Sequence, residues 1–229
     1  MPRFNSPIGP LLAAVAFAVA ALPAPAGADT LTFDDIDLSN DIYLVIPNGY
    51  GGLNWGDFGV VDGLHYAGNP SGYEAGVVSG TNVAFNLSGQ PAEILAVSGG
   101  SAFTFNSVYL TAAWNDDLQV TVQGYSGGTL QYDRTVTLSA TSPTLFTFDY
   151  ENVDELRFTS FGGTPHADYG DYPAYSFAMD DFTFNEAVPE PSSLAMGACA
   201  SGLLGLLALR RKSARGGGED EGDVPAPRA

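Results

Sequence analysis

The sequence predicts an antiparallel β-sandwich of jelly-roll type for residues 29–187, in an all-β chain, and three observations carry that prediction. Short runs alternate apolar and polar residues with a period of two: Leu118, Val120 and Val122 against Gln119, Thr121 and Gln123, then Phe146, Phe148 and Tyr150, then Leu156 and Phe158. Turn residues separate such runs at spacings of about 8–12 residues, the rhythm of a sandwich. The region also lacks helical periodicity of useful length and contains no cysteine, the chain's single Cys199 lying beyond it. A domain of this length can be held by hydrophobic burial without disulfides.

Taken in order, the chain opens with Arg3, an apolar run from Leu11 to Leu22 and a small-residue Ala26-Gly27-Ala28 site. Residues 1–28 therefore read as a secretory signal peptide, cut after Ala28. Pro23 and Pro25 end the apolar run abruptly, unlike a buried helix. Strand signals begin at Thr30, and the first strand ends at Asp34-Asp35. Pro47 to Gly76 holds nine glycines among Tyr50, Trp55, Phe58, Tyr66 and Tyr73, and reads as a long functional loop.

Further along, Phe103 and Phe105 lie on one parity while Val108, Leu110 and Ala112 lie on the other. Phe177 and Met179 are followed in the same way by Phe182 and Phe184, so a bulge is expected in each strand, the second at Asp180-Asp181. Gly127-Gly128 predicts a hairpin turn, with Leu130, Tyr132, Val136 and Leu138 on the return strand. Arg134 shares their apolar parity, so it is expected to be buried against a carboxylate. A second loop, Gly162 to Tyr175, carries His166, Asp168, Tyr169, Asp171, Tyr172 and Tyr175.

The C-terminal part has three unlike pieces in fixed order. Val188-Pro189-Glu190-Pro191-Ser192-Ser193 breaks regular structure, Leu194 to Leu209 is apolar, and Arg210, Arg211 and Lys212 form a basic stop. Sixteen residues span about 24 Å as a helix, against the ~30 Å hydrocarbon core, so flanking serines and snorkelling arginines would complete a transmembrane helix. Cations after it stay cytoplasmic and leave the domain outside. Residues 216–229, rich in glycine and acids, read as a disordered cytoplasmic tail.

Residues 188–215 resemble the PEP-CTERM sorting signal of Gram-negative bacteria. The resemblance implies export across the inner membrane, anchoring there by the C-terminal helix, and cutting by the partner exosortase near Val188, Pro189, Glu190 and Pro191. The cell surface or extracellular matrix is then the destination, in association with exopolysaccharide and biofilm. Family members usually end soon after the basic cluster, so residues 216–229 are a departure. The domain also resembles jelly-roll modules found upstream of that signal and carbohydrate-binding β-sandwiches. The matching residues are Ser107-Val108-Tyr109-Leu110-Thr111-Ala112-Ala113-Trp114, Val120-Thr121-Val122-Gln123-Gly124-Tyr125 and Met179-Asp180-Asp181-Phe182. This implies the fold and, more diffusely, an extracellular polysaccharide partner.

Charge narrows the functions. Residues 29–187 contain 21 acidic side chains against Arg134 and Arg157, a net of −19, which repels phosphate backbones and excludes nucleic acid as a partner. Terminal strands of a jelly roll often neighbour each other, so Asp34, Asp35, Asp180 and Asp181 are candidates for a structural calcium, the only cofactor expected; the competing reading is solvated strand-end acids. Trp55, Tyr66, Tyr73, Tyr169, Tyr172 and Tyr175 are candidate glycan-stacking rings, with Asn54 and Asp57 assisting; otherwise they pack the loops onto the sandwich. His65 and His166 lie in no metal spacing, and the acidic pairs have no distinguishing context, so no catalytic residue is assigned and a non-enzymatic protein is expected. The alternatives are a structural or adhesive module for another surface protein and a secreted carbohydrate-active enzyme. Asn86-Leu87-Ser88 matches a glycosylation sequon, a chance match in a bacterial host.

Overall fold

The computed structural model describes residues 28–97, 101–170 and 175–185. The expected signal peptide, sorting signal, transmembrane helix and tail, together with Tyr172, lie outside them. In chain order the strands are β1 (Asp29–Leu31), β2 (Tyr43–Val45), β3 (Leu53–Gly56), β4 (Phe58–Asp62), β5 (Asn82–Asn86), β6 (Ala92–Ala96), β7 (Phe103–Ala112), β8 (Asn115–Asp116), β9 (Leu118–Ser126), β10 (Thr129–Leu138), β11 (Thr144–Val153), β12 (Glu155–Phe161), β13 (Thr164–Pro165) and β14 (Phe177–Phe184), with an α-helical turn, α1 (Gly72–Ala75), and short 3-10 turns at Tyr50–Gly52 and Leu87–Gly89.

One sheet has the order β11-β7-β14-β5-β4-β2, with β1 on β14; the facing sheet is β10-β9-β12-β6-β3. All pairings are antiparallel, and the chain repeatedly changes sheets, as from β5 to β6 to β7. This is an antiparallel β-sandwich. The alternating runs supply its core: Leu118, Val120 and Val122, then Leu156 and Phe158, are completely buried. Phe105 stacks between Phe148 and Phe182, each at 4.9 Å between ring centroids. Each fully buried ring of this kind stabilises by roughly 1.5–3 kcal/mol, with about 0.5–1.5 kcal/mol more per well-placed ring pair. Asn86 ties the sheets together: its amide nitrogen donates to Ser160 Oγ and Gln90 O, and its oxygen accepts from Phe177 N. Such a buried side chain is no glycan acceptor.

Both phase changes are register slips. Between Asp180↔Tyr109 and Thr183↔Ser107 the last strand gains a residue, and Asp181 has φ 49°. The next step, to Phe184↔Phe105, returns the slip on β7 around Asn106. Gly127 and Gly128 both have positive φ, as a two-residue hairpin joining β9 and β10 requires.

Two expectations are corrected. Pro47 to Gly76 is not all loop, because β3 and β4 run through it and bury Leu53, Trp55, Phe58 and Val60. Its glycines mask a Leu53-x-Trp55 alternation followed by a strand covered on both faces. Arg134 is exposed and pairs with no carboxylate among the described residues: Nη1 donates to Thr147 O at 2.7 Å, and the guanidinium lies 5.3 Å from the Phe148 ring centroid. It sits on β10, an edge strand, so inward parity there leads to the open flank of the sandwich, where β11 offers a carbonyl and a ring.

Candidate functional site: a two-lobed groove at the sheet edge

The outer face of the seven-stranded sheet is partly roofed by the segment between β4 and β5. Gly63 N bonds Thr81 O, and a Cβ at Gly63 would lie 2.5 Å from Tyr73 O, so the chain turns back where only glycine fits. Asn69 Nδ2 donates to Gly63 O, Ser71 Oγ donates to Asn69 Oδ1, and Ser71 caps α1 by accepting from Tyr73 N. Gly72 N bonds Ala113 O, seating the turn directly on β7. Tyr73 is thereby buried, its ring edge-on to Tyr66 at 5.1 Å, Phe85 at 5.3 Å and Trp114 at 5.6 Å. Burial pushes the Tyr73 hydroxyl up to about 12, so it stays a neutral phenol.

This roof stops short of the edge strand β2 and leaves a groove. Pairing of Tyr43 with Val61 puts Tyr43 on the roofed face, where its ring meets Phe85 edge-on at 5.9 Å. An aromatic lobe of about 270 Å³ lies among Ile42, Tyr43, Val61, Tyr66, Tyr73 and Phe85. A polar lobe of about 380 Å³ is lined by Ser39, Asn40, Asp41, Asp62, His65 and Tyr66. Ile42 and Tyr66 line both lobes. Their sizes are those of small-ligand clefts. The 37–41 turn is fixed by Ser39 N donating to Asp37 Oδ1 and by Asp41 N donating to Leu38 O; the first bond holds the Asp37 carboxyl below the usual carboxylate range. His65 Nδ1 lies 2.9 Å from Asp62 Oδ2, and its backbone N–H donates to Asp62 Oδ1, leaving Nε2 as the ring atom able to meet a ligand.

Of the sequence-derived candidates, Tyr66 and Tyr73 reach this groove, Tyr73 as its buried floor. Trp55 does not: it is 4% exposed, packs on Phe33, Phe58 and Phe182, and donates Nε1–H to Tyr50 O. It is a core residue, because β3 turns it inward. Tyr169 is half-buried over His166 and donates its hydroxyl to Ala140 O; Tyr175 is exposed, its backbone against Gly89, and is not among the residues lining the groove. Asn54 lies on β3 of the other sheet, and Asp57 makes the β3–β4 turn with φ 57°.

Three of the four aspartates, Asp34, Asp180 and Asp181, converge on the 78–82 turn, whereas Asp35 bonds elsewhere. Asp34 Oδ1 accepts from the Thr81 and Asn82 amides, and Asp180 Oδ2 from those of Val78 and Ser79. Asp180 Oδ1 accepts from Asp181 N, Asp181 Oδ1 from Ser79 Oγ, and Asp35 Oδ1 from the Tyr50 hydroxyl. Among the described residues no group of three or more acidic, histidine or cysteine side chains is placed to hold a metal. Burial pushes the Asp180 carboxyl up to about 6, against the pull of its amide bonds.

Residues missed by the sequence reading are Ile42, Tyr43 and Phe85, with Asp41, Asp62 and His65 of the polar lobe. The available signal was an aromatic on the outward parity of β2, beside a loop rich in Asn and Asp.

Beyond the sandwich lies the deciding match. Residues 187–212 carry a PEP-CTERM protein-sorting motif. That motif implies export and C-terminal membrane anchoring ahead of exosortase processing, with exosortase as the processing partner. No curated protein matches the chain. Among solved structures, a DUF4465 family protein from Bacteroides ovatus is similar at 9% identity, with 71% of this chain and 90% of that one covered and a TM-score of 0.43. TmCBM61, solved with β-1,4-galactotriose, is similar at 11% identity, covering 62% and 95% at a TM-score of 0.32. The M60 catalytic domain with CBM51-1 and CBM51-2 of Clostridium perfringens ZmpB is similar at 13% identity, covering 68% and 15% at a TM-score of 0.33.

Proposed function

We propose that this is a non-catalytic surface or matrix protein that holds extracellular polysaccharide in the groove beside β2. The two-lobed groove carries the reading. A pyranose presents an apolar C–H face and a hydroxyl rim, and the groove sets Tyr43 and Tyr66 beside Asp41, Asp62 and Asn40. The two histidines sit on separate loops, His65 against Asp62 and His166 against Asp116 and Asp168. Export by the sorting motif brings the domain to the compartment where such polymers lie, and cutting near Pro189 would release it. The test is electrophoresis of the exported protein through gels containing polysaccharide from the producing cells. Wild type should be slowed and Tyr43→Ser should not; equal mobility with and without polysaccharide contradicts the reading.

A second reading, adhesion to another surface protein, is favoured by the edge strand itself. Ile42 (74% exposed), Tyr43 (51%) and Val45 (56%) offer an apolar rim to which a partner could add a strand. Crosslinking from a cysteine placed at Val45 on intact cells would then capture one protein and leave polysaccharide retention unchanged.

A further inference from the structure

We infer that the groove selects uncharged glycans and turns away chains bearing uronate, sulfate or phosphate groups; this rests on the groove being the glycan site. Apart from the Tyr66 phenol, the ionisable side chains of the polar lobe are Asp41, Asp62 and His65. Asp62 and His65 form one pair, so the lobe carries one negative charge with the imidazole charged and two with it neutral. The aromatic lobe adds no cation to balance this, since apolar side chains, tyrosines and Ser88 make up its walls.

Neither arginine between residues 29 and 187 can receive an anionic substituent there. Arg134 lies on the open flank, bound to Thr147 O. Arg157 lies on β12 of the opposite sheet, paired with Glu155 and stacked 4.8 Å from the Tyr125 ring centroid. A carboxylate brought within about 4 Å of Asp41, which has no built-in counter-ion as Asp62 has in His65, meets a like charge that weakens binding by about fivefold in a water-like dielectric. The surrounding net of −19 lowers the encounter rate further at low salt. Neutral hydroxyls meet the opposite situation, because carboxylate oxygens are strong acceptors for them.

Polygalacturonate and its fully methyl-esterified form isolate the charge on one backbone; a neutral β-glucan and a galactan widen the panel. The full exported protein is run through gels containing each, at low and high salt. Retention by at least one neutral polymer, unchanged by salt, is expected, with polygalacturonate retarding at least about fivefold less at low salt. Ile42→Lys places a cation where the lobes meet, at a position exposed enough to leave folding intact, and should raise retention by polygalacturonate. Polygalacturonate retained as well as the neutral chains at low salt would overturn the charge rule and leave glycan binding standing. No retention by any neutral or acidic polymer would overturn glycan binding, and the charge rule with it.

Discussion

Asp180→Ala is expected to cost the domain about 3 kcal/mol. Asp180 is fully buried, and its carboxylate accepts from Val78 N at 2.7 Å, Ser79 N at 3.0 Å and Asp181 N at 2.7 Å. Hydrogen bonds to a charged group contribute about 1.5–3 kcal/mol each. Val78 is 38% exposed, so water can replace part of the loss once the turn loosens. Two cross-chain bonds partly compensated by water give about 3 kcal/mol, with Asp180→Asn losing about 2 because one oxygen remains. Urea unfolding followed by tryptophan fluorescence suits the measurement, since Trp55 and Trp114 are 4% and 5% exposed. The pH dependence gives an independent check. Burial raises the folded Asp180 to about 6, above the unfolded value of about 3.9, so its favourable contribution is fully present below pH 4 and is lost as pH rises through 6. The advantage of wild type over Asp180→Asn should therefore grow as pH falls from 7 to 4. A loss below about 1 kcal/mol for Asp180→Ala would refute the clamp, and an advantage over Asp180→Asn flat in pH would refute the upward shift of the Asp180 carboxyl.

Other consequences are specific to single residues. Gly72→Ala would place a Cβ 1.7 Å from Ala112 O, so α1 must lift from β7, costing about 1–3 kcal/mol in urea unfolding and shifting the Tyr73 floor enough to weaken polysaccharide retention. Asn86→Ala removes the partner of the buried Phe177 amide and should cost about 1–3 kcal/mol by the same assay. Wild type made in a glycosylating host should show an unmodified Asn86 by peptide mass spectrometry.

Much of the fold was legible because sheet parity is a local signal. The slip at Asp180-Asp181 could be read from where Phe177 and Met179 give way to Phe182 and Phe184, since an added residue must reverse parity. Trp55 was misread because its neighbours Gly51, Gly52 and Gly56 outweigh a short alternation, and only pairing of β3 with β6 turns the ring inward. Arg134 followed the inward parity correctly, but parity does not say that β10 is an edge strand. The groove was legible only in part. Tyr66 and Tyr73 stand out as loop aromatics, whereas Tyr43 and Phe85 join them through strand pairing and the fold-back at Gly63, contacts distant in sequence. The sorting motif needs no folding to be read, being a linear order of features.

The central claim, that the groove beside β2 is where polysaccharide binds, is tested most directly by titrating the isotope-labelled exported protein with an oligosaccharide from the host polymer and following backbone amide shifts. Shifts should concentrate at residues 39–43, 62–67 and 85, leaving the outer face of the five-stranded sheet around Tyr125 and Arg157 unmoved. Shifts centred on Tyr125 and Arg157, with the groove silent, would contradict it.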